Sequence, residues 1–284
     1  MEYERIVCAP LGVSQEASKL GVVQLVGAGP GDPELLTLKA LRAIECADVV
    51  VFDRLVSDEI LAFIPKATRR IDVGKAPRHH PVPQDEINER LIELARQGLR
   101  VVRLKGGDPF LFGRGGEEAI ALAGAGIRVD VIPGITSAQG AAASLKMPLT
   151  HRTLASGVRL ITGHRRADET LDYDWEGLAD PDTTLVAYMA LANISEIAAE
   201  LMVHGREPRT PVLAISRATR SIEQRVFASL ATVSREVARL RLDAPVLFVI
   251  GEVVAIARFM EREAFICPAV EKFDGRMPAA VAAE

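Results

Sequence analysis

The chain has 284 residues, 49% of them hydrophobic and 25% charged, enough for two folded domains with a sizeable core. Its net charge of −4 excludes nucleic acid as the default partner, because phosphate binding usually needs a basic surplus. Cys8, Cys46 and Cys267 are few, odd in number and far apart, and no apolar run is long enough for a membrane span. A disulfide framework, a metal centre and a signal peptide are therefore not expected, and a cytoplasmic location is.

Residues 1–21 lack a clear period and read as a mobile leader. The run Val23-Gln24-Leu25-Val26-Gly27-Ala28-Gly29-Pro30-Gly31-Asp32-Pro33 predicts a buried strand, a glycine turn and a helix start, with Asp32 as cap and Pro33 in the first turn. Leu35, Leu38, Leu41 and Ile44 recur at three-residue spacing, so the helix should bury them along one face. Val49 to Phe52 is the next strand, expected beside the first and closed by Asp53-Arg54. A shorter strand spans Thr68 to Val73, a proline-rich loop Ala76 to Pro83, and a helix Asp85 to Gln97. Arg100 to Leu104 is a strand leading into Lys105-Gly106-Gly107-Asp108-Pro109. Glu117 to Ala125 is a helix, and Val129 to Ile132 a strand ending at Pro133-Gly134. Strands alternating with helices at this spacing imply a parallel α/β sheet whose turns collect at one edge, where ligands bind.

Residues 136–157 read as a linker helix and crossover. The pattern then restarts, with strands near Val158, Thr184, Pro211, Arg225 and Val246 and helices over Asn193–Val203 and Leu230–Leu240. No helix fits between the Pro211 and Arg225 strands, so they should pair antiparallel and the second sheet should be mixed. The predicted layout is an N-terminal α/β domain over 22–135, a C-terminal α/β domain over 158–258 and a loose tail over 259–284.

Several residues could carry chemistry. Gly106-Gly107-Asp108-Pro109 can form a backbone nest for a carboxylate, although Asp108 could equally cap a helix. Pro133-Gly134-Ile135-Thr136-Ser137 offers hydroxyls at a helix start, with simple capping as the alternative for Ser137. Arg114, flanked by glycines, has little packing role and points to an anionic partner. Arg54, Lys75, Arg78 and Arg152 lie at strand ends or loops near the same edge, which in an acidic protein suggests a polycarboxylate substrate, with a solvated surface as the alternative for Arg78. Asp53 could accept a proton or only cap its turn. Met189 follows a strand and could be core or ligand-facing. The five histidines show no metal spacing, and neither a nucleophile elbow nor a P-loop lysine is present.

With those pieces assembled, the chain strongly resembles the tetrapyrrole methylase family. The resemblance is carried by Val26-Gly27-Ala28-Gly29-Pro30-Gly31-Asp32-Pro33, Asp53-Arg54-Leu55-Val56-Ser57 and Val73-Gly74-Lys75. It continues through Arg103-Leu104-Lys105-Gly106-Gly107-Asp108-Pro109-Phe110, Phe112-Gly113-Arg114-Gly115-Gly116-Glu117-Glu118 and Pro133-Gly134-Ile135-Thr136-Ser137, and covers about residues 22–256.

The resemblance implies two α/β domains with the active site in the cleft between them, a homodimer, and S-adenosylmethionine as methyl donor without a metal. It implies cofactor contacts at Pro30, Gly106, Gly107, Asp108, Leu111, Thr136, Ser137, Met189 and Ala218. Asp53 and Lys75 match positions of a proton acceptor and donor. Arg54, Arg114, Glu117, Arg152 and Met189 match positions that hold substrate, with the base left open between Asp53 and Arg114. The implied substrate is uroporphyrinogen III, methylated at C2 and C7 to precorrin-2, a step shared by sirohaem, cobalamin and haem d1 synthesis. A stand-alone methyltransferase is expected.

Overall fold

The computed structural model describes residues 20–74, 82–164 and 171–264, which fall into two compact units divided between Thr136 and Ser137. In the first unit the strands are β1 (Val22–Gly27), β2 (Val49–Phe52), β3 (Arg69–Asp72), β4 (Arg100–Lys105) and β5 (Arg128–Ile132). They form one parallel sheet in the order β3-β2-β4-β1-β5. Val49, Val50 and Val51 are all fully buried, as a parallel strand covered on both faces requires. Val50, Val102 and Leu104 face helices α1 (Leu38–Glu45) and α2 (Asp58–Leu61). Val49, Val51 and Val101 face α3 (Gln84–Arg96) and α4 (Gly115–Gly124) on the other side.

Three expectations for this unit are corrected. β2 does not lie beside β1, because β4 inserts between them and pairs with both. The first helix also begins later than Asp32. Asp32 accepts the Glu34 N–H at 2.9 Å and caps only a 3-10 turn over Pro33–Leu35, after which Leu36 is extended. The α-helix restarts at Thr37, whose hydroxyl accepts the Ala40 N–H at 3.0 Å. That break rotates the helical face, so Ala40, Ala43 and Ile44 are buried and Leu38 is 73% exposed. Cys46, which caps the end of α1, is disulfide-bonded, contrary to the expectation of free thiols. It is the only cysteine among the described residues.

The second unit opens with α5 (Ser137–Ser144), then β6 (Gly157–Thr162), α6 (Trp175–Leu178), β7 (Thr183–Tyr188), α7 (Ile194–Val203), β8 (Pro211–Ser216) and β9 (Gln224–Ser229). It closes with α8 (Val233–Leu240), β10 (Val246–Ile250) and α9 (Val253–Ala264). The sheet order is β6-β7-β10-β8-β9, parallel only between β6 and β7. The antiparallel β8–β9 pair is the one expected from the short connection. α7 and α8 cover one face around Phe248, and α5 and α9 cover the other around Val186 and Leu213. α9 continues past Met260 to Ala264, so the chain stays helical six residues into the stretch read as a loose tail.

Candidate active site

β1 is flanked by β4 and β5, and this is where the order of the first sheet reverses. Ligands bind at such a switch point, beyond the carboxyl ends of the strands. Three glycines there let the strand ends close on one another. A Cβ on Gly27 would lie 2.6 Å from Gly134 Cα and 2.7 Å from Gly107 O. Gly29 and Gly107 have φ of +74° and +68° and exchange backbone hydrogen bonds of 3.1 and 2.7 Å. Because the Gly107 N–H donates to Gly29 O, it is not free for the carboxylate nest expected from sequence. Asp108 is a strap, with Oδ1 accepting from the Phe110 N–H at 2.8 Å and Oδ2 from the Gly134 N–H at 3.0 Å. It does not cap α4, which starts at Gly115. Ser57, buried at the start of α2, donates to Gly31 O at 2.7 Å and pins the first glycine turn.

Asp53, at the end of β2, does more than cap its turn. Oδ1 accepts the Leu55 N–H at 3.0 Å, while Oδ2 accepts from Arg103 of β4 at 3.2 Å. Arg103 also pairs with Glu118 of α4 at 3.0 Å, and Lys105 pairs with the same Glu118 oxygen at 3.0 Å. Arg103, Lys105 and Glu118 are all buried. Desolvation, reinforced by the Arg103 charge, holds the Lys105 ammonium below its ordinary range despite Glu118 and Asp53. None of these three was singled out from sequence as a site residue. The signal was there: after Val101 and Val102, Arg103 and Lys105 place charge at alternate positions in the second half of β4.

Arg114 has the anionic partner its setting implied, and that partner is Glu117. Nε and Nη2 make a two-pronged contact with its carboxylate at 2.9 and 2.7 Å. Arg114 sits at φ +58° as the N-cap residue of α4, which the adjoining glycines accommodate. The hydrogen bonds it donates to Glu117 raise the guanidinium above its already high range. Arg114 therefore holds its proton more firmly and is a poor base. Both side chains are more than half exposed, so the pair is worth about 0–1 kcal/mol and is readily exchanged for another carboxylate. Arg54 and Arg152 are exposed, and Pro30, Gly106, Leu111 and Thr136 are half-buried. Lys75 and Arg78 lie outside the described residues.

In the second unit the Tyr188 hydroxyl accepts the Ala138 N–H at 3.0 Å and holds the first turn of α5, where Ser137 stands. Met189 follows at φ +52° and is 49% exposed, so it is not core. Ala218 is buried between Arg217 and Thr219, both at positive φ. Left-handed backbone at non-glycine positions is costly and tends to gather at ligand sites. Among the described residues, no cluster of His, Cys, Asp or Glu could hold a metal, and no helix is long and apolar enough to cross a membrane.

Residues 22–234 match the family model for tetrapyrrole (corrin/porphyrin) methylases. The chain is 58% identical over 246 residues to the uroporphyrinogen-III C-methyltransferase of Paracoccus denitrificans, covering 87% of this chain and 86% of that protein. It is 48% identical over 236 residues to the sirohaem synthase of Hahella chejuensis, covering 83% of this chain but only 50% of that longer protein. Among solved structures, the uroporphyrin-III C-methyltransferase of Thermus thermophilus in complex with S-adenosylhomocysteine superposes with a TM-score of 0.72. The two are 44% identical over 83% of this chain and 100% of that one. A cobalt-precorrin-4 methyltransferase gives a TM-score of 0.74 at 25% identity, covering 82% and 95%.

Proposed function

The chain belongs to the tetrapyrrole methylase family, and from that premise we propose that it methylates uroporphyrinogen III at C2 and C7 with S-adenosylmethionine, giving precorrin-2 by way of precorrin-1. The likeness to the Paracoccus denitrificans enzyme, which extends over most of both chains, carries this reading. The glycine cradle fits the donor. A Cβ on Gly107 would meet no atom within 4 Å, so a ligand can approach the main chain there. In the proposal Pro30, Gly106, Gly107, Asp108, Leu111 and Thr136 of the first unit hold the donor with Ser137, Met189 and Ala218 of the second.

When bound, S-adenosylmethionine supplies an electrophilic sulfonium methyl. The substrate is an electron-rich macrocycle whose pyrrole carbon is itself the nucleophile, so the protein's first task is positioning. Arg54, Arg114 and Arg152 provide exposed cations for its carboxylates, with Glu117 keeping the Arg114 fork preformed and Met189 meeting the ring. The second task is proton removal after methylation. Asp53 is the base in this reading, because its carboxylate is already oriented on both oxygens whereas Arg114 is held protonated. Lys75 is kept as the proton donor. A homodimer, from the resemblance, completes the proposal.

Incubating the protein with S-adenosylmethionine and uroporphyrinogen III is expected to yield a dimethylated product and two equivalents of S-adenosylhomocysteine. Tight binding of S-adenosylhomocysteine with no transfer to that porphyrinogen would overturn the substrate assignment in favour of another family substrate. Arg114→Lys removes a two-pronged contact that an ammonium cannot reproduce. It is expected to lower kcat/KM for the porphyrinogen about 10- to 100-fold, the value of a hydrogen bond to a charged group. S-adenosylhomocysteine affinity, read by calorimetry, should stay within about twofold.

A further inference from the structure

On the α3/α4 face of the first sheet, β4 runs from apolar to charged. Val101, Arg103 and Lys105 alternate along it, and the last two are 3% and 4% exposed. Glu118, fully buried on α4, meets them with one oxygen: Oε1 accepts from Arg103 Nε and Lys105 Nζ at 3.0 Å and from Gln84 Nε2 at 3.2 Å. Arg103 Nη2 turns the other way, to Asp53 Oδ2. Buried charges persist only when they balance. Here two cations, Arg103 and Lys105, stand against two anions, Glu118 and Asp53. Asp53, whose side chain is 24% exposed, stands at the solvent edge of the three buried charges and completes their balance, so a change at one of them is felt at its carboxylate.

We propose that Lys105 is a positioning residue for the proton step assigned to Asp53, acting through Glu118 and Arg103 to keep that carboxylate ionised and ready to accept. The inference rests on the reading of Asp53 given above. Glu118 and Asp53 both favour the charged form of Lys105, which couples the lysine electrostatically to the Asp53 carboxylate. Among the described residues, the charged groups around Asp53 are Arg103 and Lys105 on β4, Glu118 on α4, exposed Arg54 beside it, and Asp72 at the end of β3. Asp72 is engaged with the Gly74 N–H. Only the first three belong to the buried set.

Lys105→Gln removes the cation and keeps a donor for Glu118, leaving one surplus negative charge. In the full chain, the Asp53 carboxylate followed by carbon NMR is expected to titrate about one pH unit higher than in the parent protein. The acid limb of kcat/KM for the porphyrinogen should move up with it, while S-adenosylhomocysteine affinity stays within about twofold. Adding Glu118→Gln restores neutrality and should bring the titration back to the parent value. Lys105→Met, apolar and of similar length, carries the same expectation if the Gln variant does not fold. A folded, ligand-binding single variant whose Asp53 titrates as in the parent overturns the inference, as does a double variant that keeps the full shift. Failure of the parent protein to methylate the porphyrinogen would instead sink the functional reading, and the NMR titration would still decide whether Lys105 and Asp53 are coupled.

Discussion

Asp53→Asn is expected to lower turnover about 10²- to 10⁴-fold, the usual contribution of a positioned general base. Asparagine keeps one acceptor oxygen, for the Leu55 N–H, but sets an NH2 group against Arg103 and cannot take up a proton. The fold should tolerate the change, because Arg103 retains Glu118 at 3.0 Å and its own bond to Leu104 O at 3.1 Å. The surplus positive charge left behind falls on Lys105, whose proton is already held loosely by burial. Single-turnover formation of the deprotonated methylated product separates this variant from Arg114→Lys: loss of the base lowers the rate at saturating porphyrinogen, whereas a weakened clamp raises the concentration needed. Single-turnover rates near those of the parent protein would remove Asp53 from the proton step.

Gly134→Ala is expected to destabilise the first unit and to abolish measurable binding of S-adenosylhomocysteine. The added Cβ would overlap the Gly107 carbonyl oxygen and lie 2.8 Å from Gly27 Cα. Both obstacles are backbone, so no rotamer change relieves them. Overpacking against side chains costs about 1–3 kcal/mol, and a backbone clash belongs at or above the upper end. For a chain of this size about 3 kcal/mol corresponds to a fall in Tm of roughly 6–12 °C. Moving the Gly107 carbonyl also breaks its bond from the Gly29 N–H, so the cradle and the fold are lost together. Gly124→Ala is the control: it has no neighbour within 4 Å, ends α4 without positive φ, and should leave Tm unchanged or slightly raised. Equal melting of the two variants would show that close approach at Gly134 is not what holds the strand ends together.

The strands were legible because Val49-Val50-Val51 and its counterparts are continuous apolar runs bounded by turn residues. The antiparallel β8–β9 pair was legible from the length of its connection. The buried face of α1 was not. Its leucines recur at helical spacing, but a single 3-10 turn and an extended Leu36 reset the phase, and phase is a property of backbone dihedrals. That a residue three places along its own helix supplies Arg114 with an anion was not legible in its glycine setting. The roles of Arg103, Lys105 and Glu118 were missed because charge in a strand or helix ordinarily means solvent. Only the packing of α4 over β4 puts all three inside.

By itself the sequence determined the class of fold, two α/β units with one parallel and one mixed sheet, and the glycine-bearing turns that mark the ligand edge. These follow from local periodicity and from the backbone freedom of glycine, which are written residue by residue. Strand order was decided by the tertiary structure, which inserts β4 between β1 and β2. That insertion places Asp53 against Arg103 instead of against the first glycine turn. A neighbour across a sheet is fixed by which hydrogen-bonding edges meet, and no local pattern encodes that choice. The same insertion makes β1 the switch strand, brings Gly27, Gly107 and Gly134 into backbone contact, and ties the charge of Asp53 to a buried lysine 52 positions along the chain.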